Sequence, residues 1–248
     1  MTSSARPEGT DLDREKNALR RDVWDRLEAA GVVEPGVHGH IPDFVGANAA
    51  AQRLAGLDAW TTAAVVKAVP DAAQRPVRAL ALRAGKLVYM AVPRLAEARP
   101  FLLLDPAVLP EPPAAAADRH QAARLGEPVD INQMRAIDLV VTGSVAVDES
   151  GGRLGKGAGY GDIEVALLTE AGLIGDQTTI VTTVHDLQVM DTSVPETSHD
   201  FHVDLIITPT RVITTARQKR PSGIEWASLP EAKIRAIPVL AAHRTTRP

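Results

Sequence analysis

Apolar residues recur at helical spacing from Leu12 to Ala30, where Leu19, Val23, Leu27 and Ala30 fall on one face and Gly31 ends the run. A second helical stretch runs from about Asp43 to Ala68 and is divided near Gly56. Then the period changes. Val77 to Leu82 and Leu87 to Val92 are short apolar runs separated by Ala84-Gly85-Lys86, which predicts a hairpin or tight turn. Phe101 to Leu104 predicts a further strand, and the four prolines from Pro106 to Pro113 exclude a regular element there. Ala114 to Arg124 fits a short helix. Ile137 to Val147 predicts a buried strand running into a loop, and Asp162 to Ala171 resumes helical spacing with Ile163, Ala166 and Leu167 on one face. Thr178 to Val184, Val203 to Thr208 and Arg211 to Thr215 predict strands, and a short helix is expected near Pro230 to Ile237. Strands alternating with helical segments predict an α/β fold with a mainly parallel sheet. There is no internal repeat and no clear linker. One domain is expected over residues 12–241, with a flexible N-terminus at 1–11 and a tail at 242–248.

Composition narrows the chemistry. The 248 residues are 45% hydrophobic and 23% charged, the balance of a globular protein, yet only 3% are aromatic. The core must therefore be built mainly from Ala, Val, Leu and Ile, which suits a sheet covered by helices. Cysteine is absent. That excludes a disulfide framework, a thiolate metal site and a cysteine nucleophile. A net charge of −4 argues against nucleic-acid binding through a broad basic field. No run approaches about 18 apolar residues, and Met1 to Asp13 lacks the apolar core of a signal peptide, so a cytoplasmic protein without a membrane span is expected.

The segment from Gly151 to Asp162 holds six of the chain's 18 glycines, between a predicted strand and a predicted helix. Glycines bring backbone amides close to an oxyanion, and the N-terminal end of the following helix favours negative charge. Arg153 and Lys156 add two cations within four residues. Together they describe a phosphate cradle; the bland alternative is a surface turn with solvated cations. Neither a Walker loop nor the G-x-G-x-x-G fingerprint is present.

Arg153-Leu154-Gly155-Lys156-Gly157-Ala158-Gly159-Tyr160-Gly161-Asp162 resembles the R-L-G-[KR]-G-x-G-Y-Y-D signature of 5-formyltetrahydrofolate cyclo-ligases. Two further features agree in order: K-x-x-x-R in the first helix, as Lys16 to Arg20, and a late strand entered through acidic residues, His199 to Thr208. The likeness spans about Lys16 to Thr215. It implies a compact fold with an open Rossmann-like sheet, and an enzyme that uses ATP and Mg²⁺ to close 5-formyltetrahydrofolate into 5,10-methenyltetrahydrofolate, releasing ADP and phosphate. It also implies residue roles: Lys16 and Arg20 as triphosphate ligands, Arg153, Leu154, Gly155, Lys156, Gly157, Ala158, Gly159, Tyr160 and Gly161 as the ATP loop, and Asp162 and Asp204 as magnesium carboxylates. The residues themselves are compatible with those roles. Lys16 and Arg20 share a helix face. Asp162 stands at the end of the loop, where it can meet magnesium or cap the helix, and Asp204 can instead close a turn. Arg153 and Lys156 are the residues expected to assist catalysis, which reduces to positioning and charge cancellation.

The signature's second tyrosine is Gly161 here, and no Glu stands among Leu57 to Asp71, where the family places a substrate-contacting one. Thr182 to Val189 and Lys219 to Trp226 resemble a divergent branch, the methenyltetrahydrofolate synthase domain-containing proteins. Tyr160, Trp60 and His185 are the expected substrate contacts. His185-Asp186 and His199-Asp200 read as a metal site, an acid/base pair or residues capping strand ends, and the basic run Arg217 to Arg220 as a solvated loop. Three functions remain open: the folate reaction on a reduced folate, the same ATP loop acting on another N-formyl or amide metabolite, and a nucleotide-binding module without turnover. A monomer or homodimer is expected.

Overall fold

The computed structural model describes residues 10–110, 112–216 and 220–246. Of the expected flexible N-terminus, residues 1–9 lie outside the described residues. Helix α1 (Asp11–Ala29) starts on a capping box, in which the Asp13 amide donates to Thr10 Oγ1 at 3.2 Å and the Thr10 amide donates to Asp13 at 3.0 Å. These bonds satisfy two donors that a helix start otherwise leaves open. Helices α2 (Ala47–Ala55) and α3 (Asp58–Thr61) follow.

The second half of the expected helical pair is helical only over α3. Val65–Ala68 is strand β1, buried at every position. A four-residue strand buried on both faces, with a lysine within it, has no period to distinguish it from a helix. The expected hairpin is also replaced. Arg75–Arg83 forms α4, with Pro76 in its first turn and Val77, Ala81 and Leu82 buried, and β2 (Leu87–Ala91) then pairs parallel to β1 with Val65 opposite Leu87. The element between them is a helical crossover, as parallel neighbours require. Strand β3 is Phe101–Leu104. The expected helix over Ala114 to Arg124 divides into a 3₁₀ turn (Pro113–Ala117) and α5 (Arg119–Leu125), because Asp118 caps α5 by accepting from the His120 and Gln121 amides. Next come β4 (Glu127–Val129), β5 (Leu139–Thr142), β6 (Ala146–Asp148), β7 (Arg153–Leu154), α6 (Tyr160–Glu170), β8 (Thr179–Thr183), β9 (Val189–Met190), β10 (Leu205–Ile207) and β11 (Val212–Thr214). The chain ends in α7 (Glu231–Ala236) and α8 (Pro238–Thr246), so residues 242–246, expected in a tail, continue a helix.

The main sheet has eight strands in the order β11-β10-β8-β5-β1-β2-β3-β4. Its five central strands are parallel, and β11, β3 and β4 pair antiparallel. A small sheet, β7-β6-β9, lies beside it. Helices cover both faces: α1, α2 and α4 pack on one apolar cluster, and α6, α7 and α8 on the other. This is the mainly parallel, helix-flanked α/β fold expected. The chain builds outward from β1 to β2, then returns to place β5 on the other side of β1. The carboxyl edge of β1 and β5 is thus the switch point where such sheets bind ligands.

Candidate functional site

Strand β5 leads through the β6–β7 hairpin into the glycine-rich turn, which delivers the chain to α6. Gly157 and Gly159 have φ of 98° and 65°, backbone that side chains resist. Gly159 is the N-cap of α6 and offers no side chain to its first amides, so the expected capping role of Asp162 falls to a glycine. Those amides and the helix dipole make an anion-favouring end.

The structure gathers Lys16, Arg20, Arg153 and Lys156 around this turn. Lys16, buried on α1, donates to Asp200 Oδ2 at 2.5 Å. Arg20, one turn on, donates from Nε to the Gly155 carbonyl at 2.7 Å, and a Cβ on Gly157 would meet its guanidinium at 3.5 Å. Arg153, buried at the end of the small sheet, pairs with Asp162 and lies 4.0 Å from the centre of the Phe201 ring. Its Nε is buried without a partner. Lys156 donates to Asp71 Oδ1 at 2.8 Å. Asp71 follows β1 at the switch point. The stretch without a Glu thus supplies an aspartate. Leu154 is buried beneath the turn.

Burial lowers the Arg20 pKa, against the pull of Asp200, Asp13 and Asp162. Burial pushes the Asp200 carboxyl up, but the hydrogen bonds from Lys16 and Thr197 outweigh it and hold it below the usual carboxylate range.

Other expected residues are placed elsewhere or differently occupied. Trp60 is core, 5% exposed, with the Lys86 ammonium 5.1 Å from its ring. It sits in α3, which leads into the amino end of β1, whereas Asp71 follows the carboxyl end. Asp204 accepts from the Ile180 amide at 2.7 Å and pairs with Arg220 at 2.6 Å, closing the start of β8 against β10 as the turn-closing alternative proposes. Arg220 also donates to the Gly175 and Thr178 carbonyls, so this end of the basic run is a clamp rather than a solvated loop; residues 217–219 lie outside the described residues. His185 caps a 3₁₀ turn, its Nδ1 accepting from Leu187 at 3.1 Å, and Asp186 accepts from Thr208 and Thr210. These are capping roles. Burial lowers the His185 pKa, with Asp186 opposing. No group of three or more His, Asp or Glu side chains comes together as a metal cage among the described residues. A metal at the turn would rest on Asp162 plus a ligand's own oxygens, which is how magnesium is commonly held.

Sequence reasoning missed Asp71, Phe201 and Lys233. Lys233, on α7, donates to the Ala158 carbonyl and lies 5.0 Å from the centre of the Tyr160 ring. A Cβ on Gly159 would stand 3.0 Å from its Nζ. No helix of the described residues is long and apolar enough to cross a membrane.

Comparison with known proteins gives the chain's relatives. Methenyltetrahydrofolate synthase domain-containing proteins from Mus musculus and Bos taurus are 40% and 38% identical to the chain and align with 91% and 92% of it. The chain spans 62% of the length of each. A solved Aquifex aeolicus 5,10-methenyltetrahydrofolate synthetase superposes with a TM-score of 0.53 at 19% identity, over 85% of this chain and 97% of that one. Residues 11–209, from the cap of α1 through the turn to the end of β10, match the 5-formyltetrahydrofolate cyclo-ligase family, and the chain belongs to it.

Proposed function

We propose that the chain is an ATP- and magnesium-dependent cyclo-ligase that converts 5-formyltetrahydrofolate to 5,10-methenyltetrahydrofolate, with ADP and phosphate as the other products. The observation that carries this reading is the convergence of Lys16, Arg20, Arg153 and Lys156 on one glycine turn at the start of α6. In this reading the triphosphate lies along that turn. Arg20, Lys16 and Lys156 neutralise it, and Arg153 holds Asp162 at the helix start. Magnesium, carried by Asp162 and phosphate oxygens, supplies further charge cancellation. Asp204 is left out of this set because its carboxylate is committed to Ile180 and Arg220.

The chemistry needs no protein nucleophile. The formyl oxygen takes the terminal phosphoryl group, which breaks the bond to ADP and turns a poor leaving group into a good one. The neighbouring substrate nitrogen attacks the formyl carbon and the ring closes; that nitrogen's proton is lost to solvent or phosphate as the phosphate departs. The protein's part is alignment and electrostatic stabilisation.

Purified protein with ATP, Mg²⁺ and 5-formyltetrahydrofolate should show growth of methenyl absorbance, with kcat/KM reduced about 100-fold in Lys156→Ala. No turnover by the folded wild type refutes the folate assignment. One observation favours a second acceptor: Trp60, one of two aromatic residues expected to meet a pterin, is buried in the core. Thermal stabilisation by ATP but by no folate would select another N-formyl or amide substrate, since a ligand at 100 times its Kd stabilises by about 2.7 kcal/mol.

A further inference from the structure

We propose that Lys233 is a phosphate-binding residue of this site, contributed by a C-terminal segment that the family match does not include. The proposal rests on the nucleotide reading above. The match ends at residue 209, whereas Lys233 lies on α7, which brings it to the glycine turn. Its Nζ donates to the Ala158 carbonyl, stands over the Tyr160 ring and occupies the space a Gly159 side chain would need. A cleft of about 160 Å³ opens beside it, lined by Gly159, Asp162, Ile163, His199 and Glu225.

Charge pairing marks Lys233 out. Five cations surround the turn. Lys16, Arg153 and Lys156 are each paired with a carboxylate: Asp200, Asp162 and Asp71. Arg20 and Lys233 bond a backbone carbonyl of the turn instead, Gly155 and Ala158, and form no ion pair with a described carboxylate. These two therefore carry the net positive charge of the cradle. An ammonium has three donors, and a single carbonyl satisfies one of them. Both cations hold the same turn, Arg20 at Gly155 and Lys233 at Ala158, so a polyanion lying along it meets both. Burial lowers the Lys233 pKa, with Asp162 opposing, and an arriving phosphate reinforces the charged form.

The test is calorimetric titration of the purified chain with Mg·ATP and with tripolyphosphate, in wild type, Lys233→Met, Lys233→Arg and Arg235→Ala. Arg235 lies on the same helix, is 73% exposed and pairs with Glu231 of that helix. Lys233→Met is expected to weaken both ligands about tenfold or more, as loss of a charge-assisted bond implies. Its binding should also depend less steeply on salt. Lys233→Arg should stay within about threefold of wild type, and Arg235→Ala should bind as wild type. Equal binding by wild type and Lys233→Met overturns the proposal. So does equal weakening by Met and Arg, which would mark a packing role, or weakening for ATP but not tripolyphosphate. If wild type binds neither ligand, the nucleotide reading falls and this inference with it.

Discussion

The buried ion pair between β1 and α6 anchors the helix that follows the glycine turn, and its removal has a calculable consequence. Lys67 on β1 pairs with Glu164 on the first turns of α6, and their side chains are 1% and 8% exposed. The pair fixes the start of α6 over the central strand whose carboxyl end leads to Asp71. Glu164→Gln leaves an ammonium inside the sheet with no opposite charge. Breaking such a pair costs about 3–5 kcal/mol. In a chain of this length each kcal/mol shifts the melting midpoint by about 2–4 °C, so the midpoint should fall by about 6–20 °C. Replacing both partners with apolar residues, Lys67→Met with Glu164→Leu, removes the stranded charge and should cost less than either single change. Chemical denaturation of wild type, Glu164→Leu, Lys67→Met and the double variant completes the cycle, with Glu164→Gln measured beside it. A Glu164→Gln cost below about 1 kcal/mol, or a double variant as unstable as the two singles summed, would refute the reasoning.

Two further outcomes follow from the surroundings of the site. The His185 pKa lies below its ordinary value in the folded chain, so the unfolded chain binds more protons near neutrality. Its contribution to stability is complete above about pH 6.5 and is lost as pH falls below it, and His185→Gln should flatten the pH dependence of the urea midpoint in that window. Asp204→Asn should destabilise by about 1–3 kcal/mol, because it loosens Arg220 and the Ile180 amide. It should leave the magnesium dependence of nucleotide binding unchanged; a shifted magnesium titration would return Asp204 to the metal set.

How much of this was legible in the sequence depended on whether the signal was local. Thr178 to Val184 and Val203 to Thr208 announce strands because β-branched and apolar residues run together there. The glycine turn is legible because it concentrates glycine and cations in a dozen residues. Strand β1 was hidden, since Val65-Val66-Lys67-Ala68 carries a lysine that only its partner on α6 explains. The partners of the cations were hidden for the same reason. Asp200 lies 184 residues from Lys16 and Asp71 lies 85 residues from Lys156, and no spacing rule joins them. Trp60 shows the converse: an aromatic near the right segment is placed by the packing of α3, not by the site.

The pairings also order the cations by the work each can do when a polyanion arrives. Lys16–Asp200 and Arg153–Asp162 are largely buried, so separating them would strand charge in a poor solvent. Those cations are fixed, and they shape the turn by holding their carboxylates as much as by attracting phosphate. Lys156–Asp71 is different. Lys156 is 39% exposed, and a pair in that setting is worth about 0–1 kcal/mol. It can open at little expense, so under the nucleotide reading proposed above Lys156 is the cation free to follow the transferring group. Arg20 and Lys233 need break no ion pair at all. Affinity for the ground-state nucleotide should therefore reside mainly in Arg20 and Lys233, and rate in Lys156, a division that separates KM from kcat among side chains grouped around one turn.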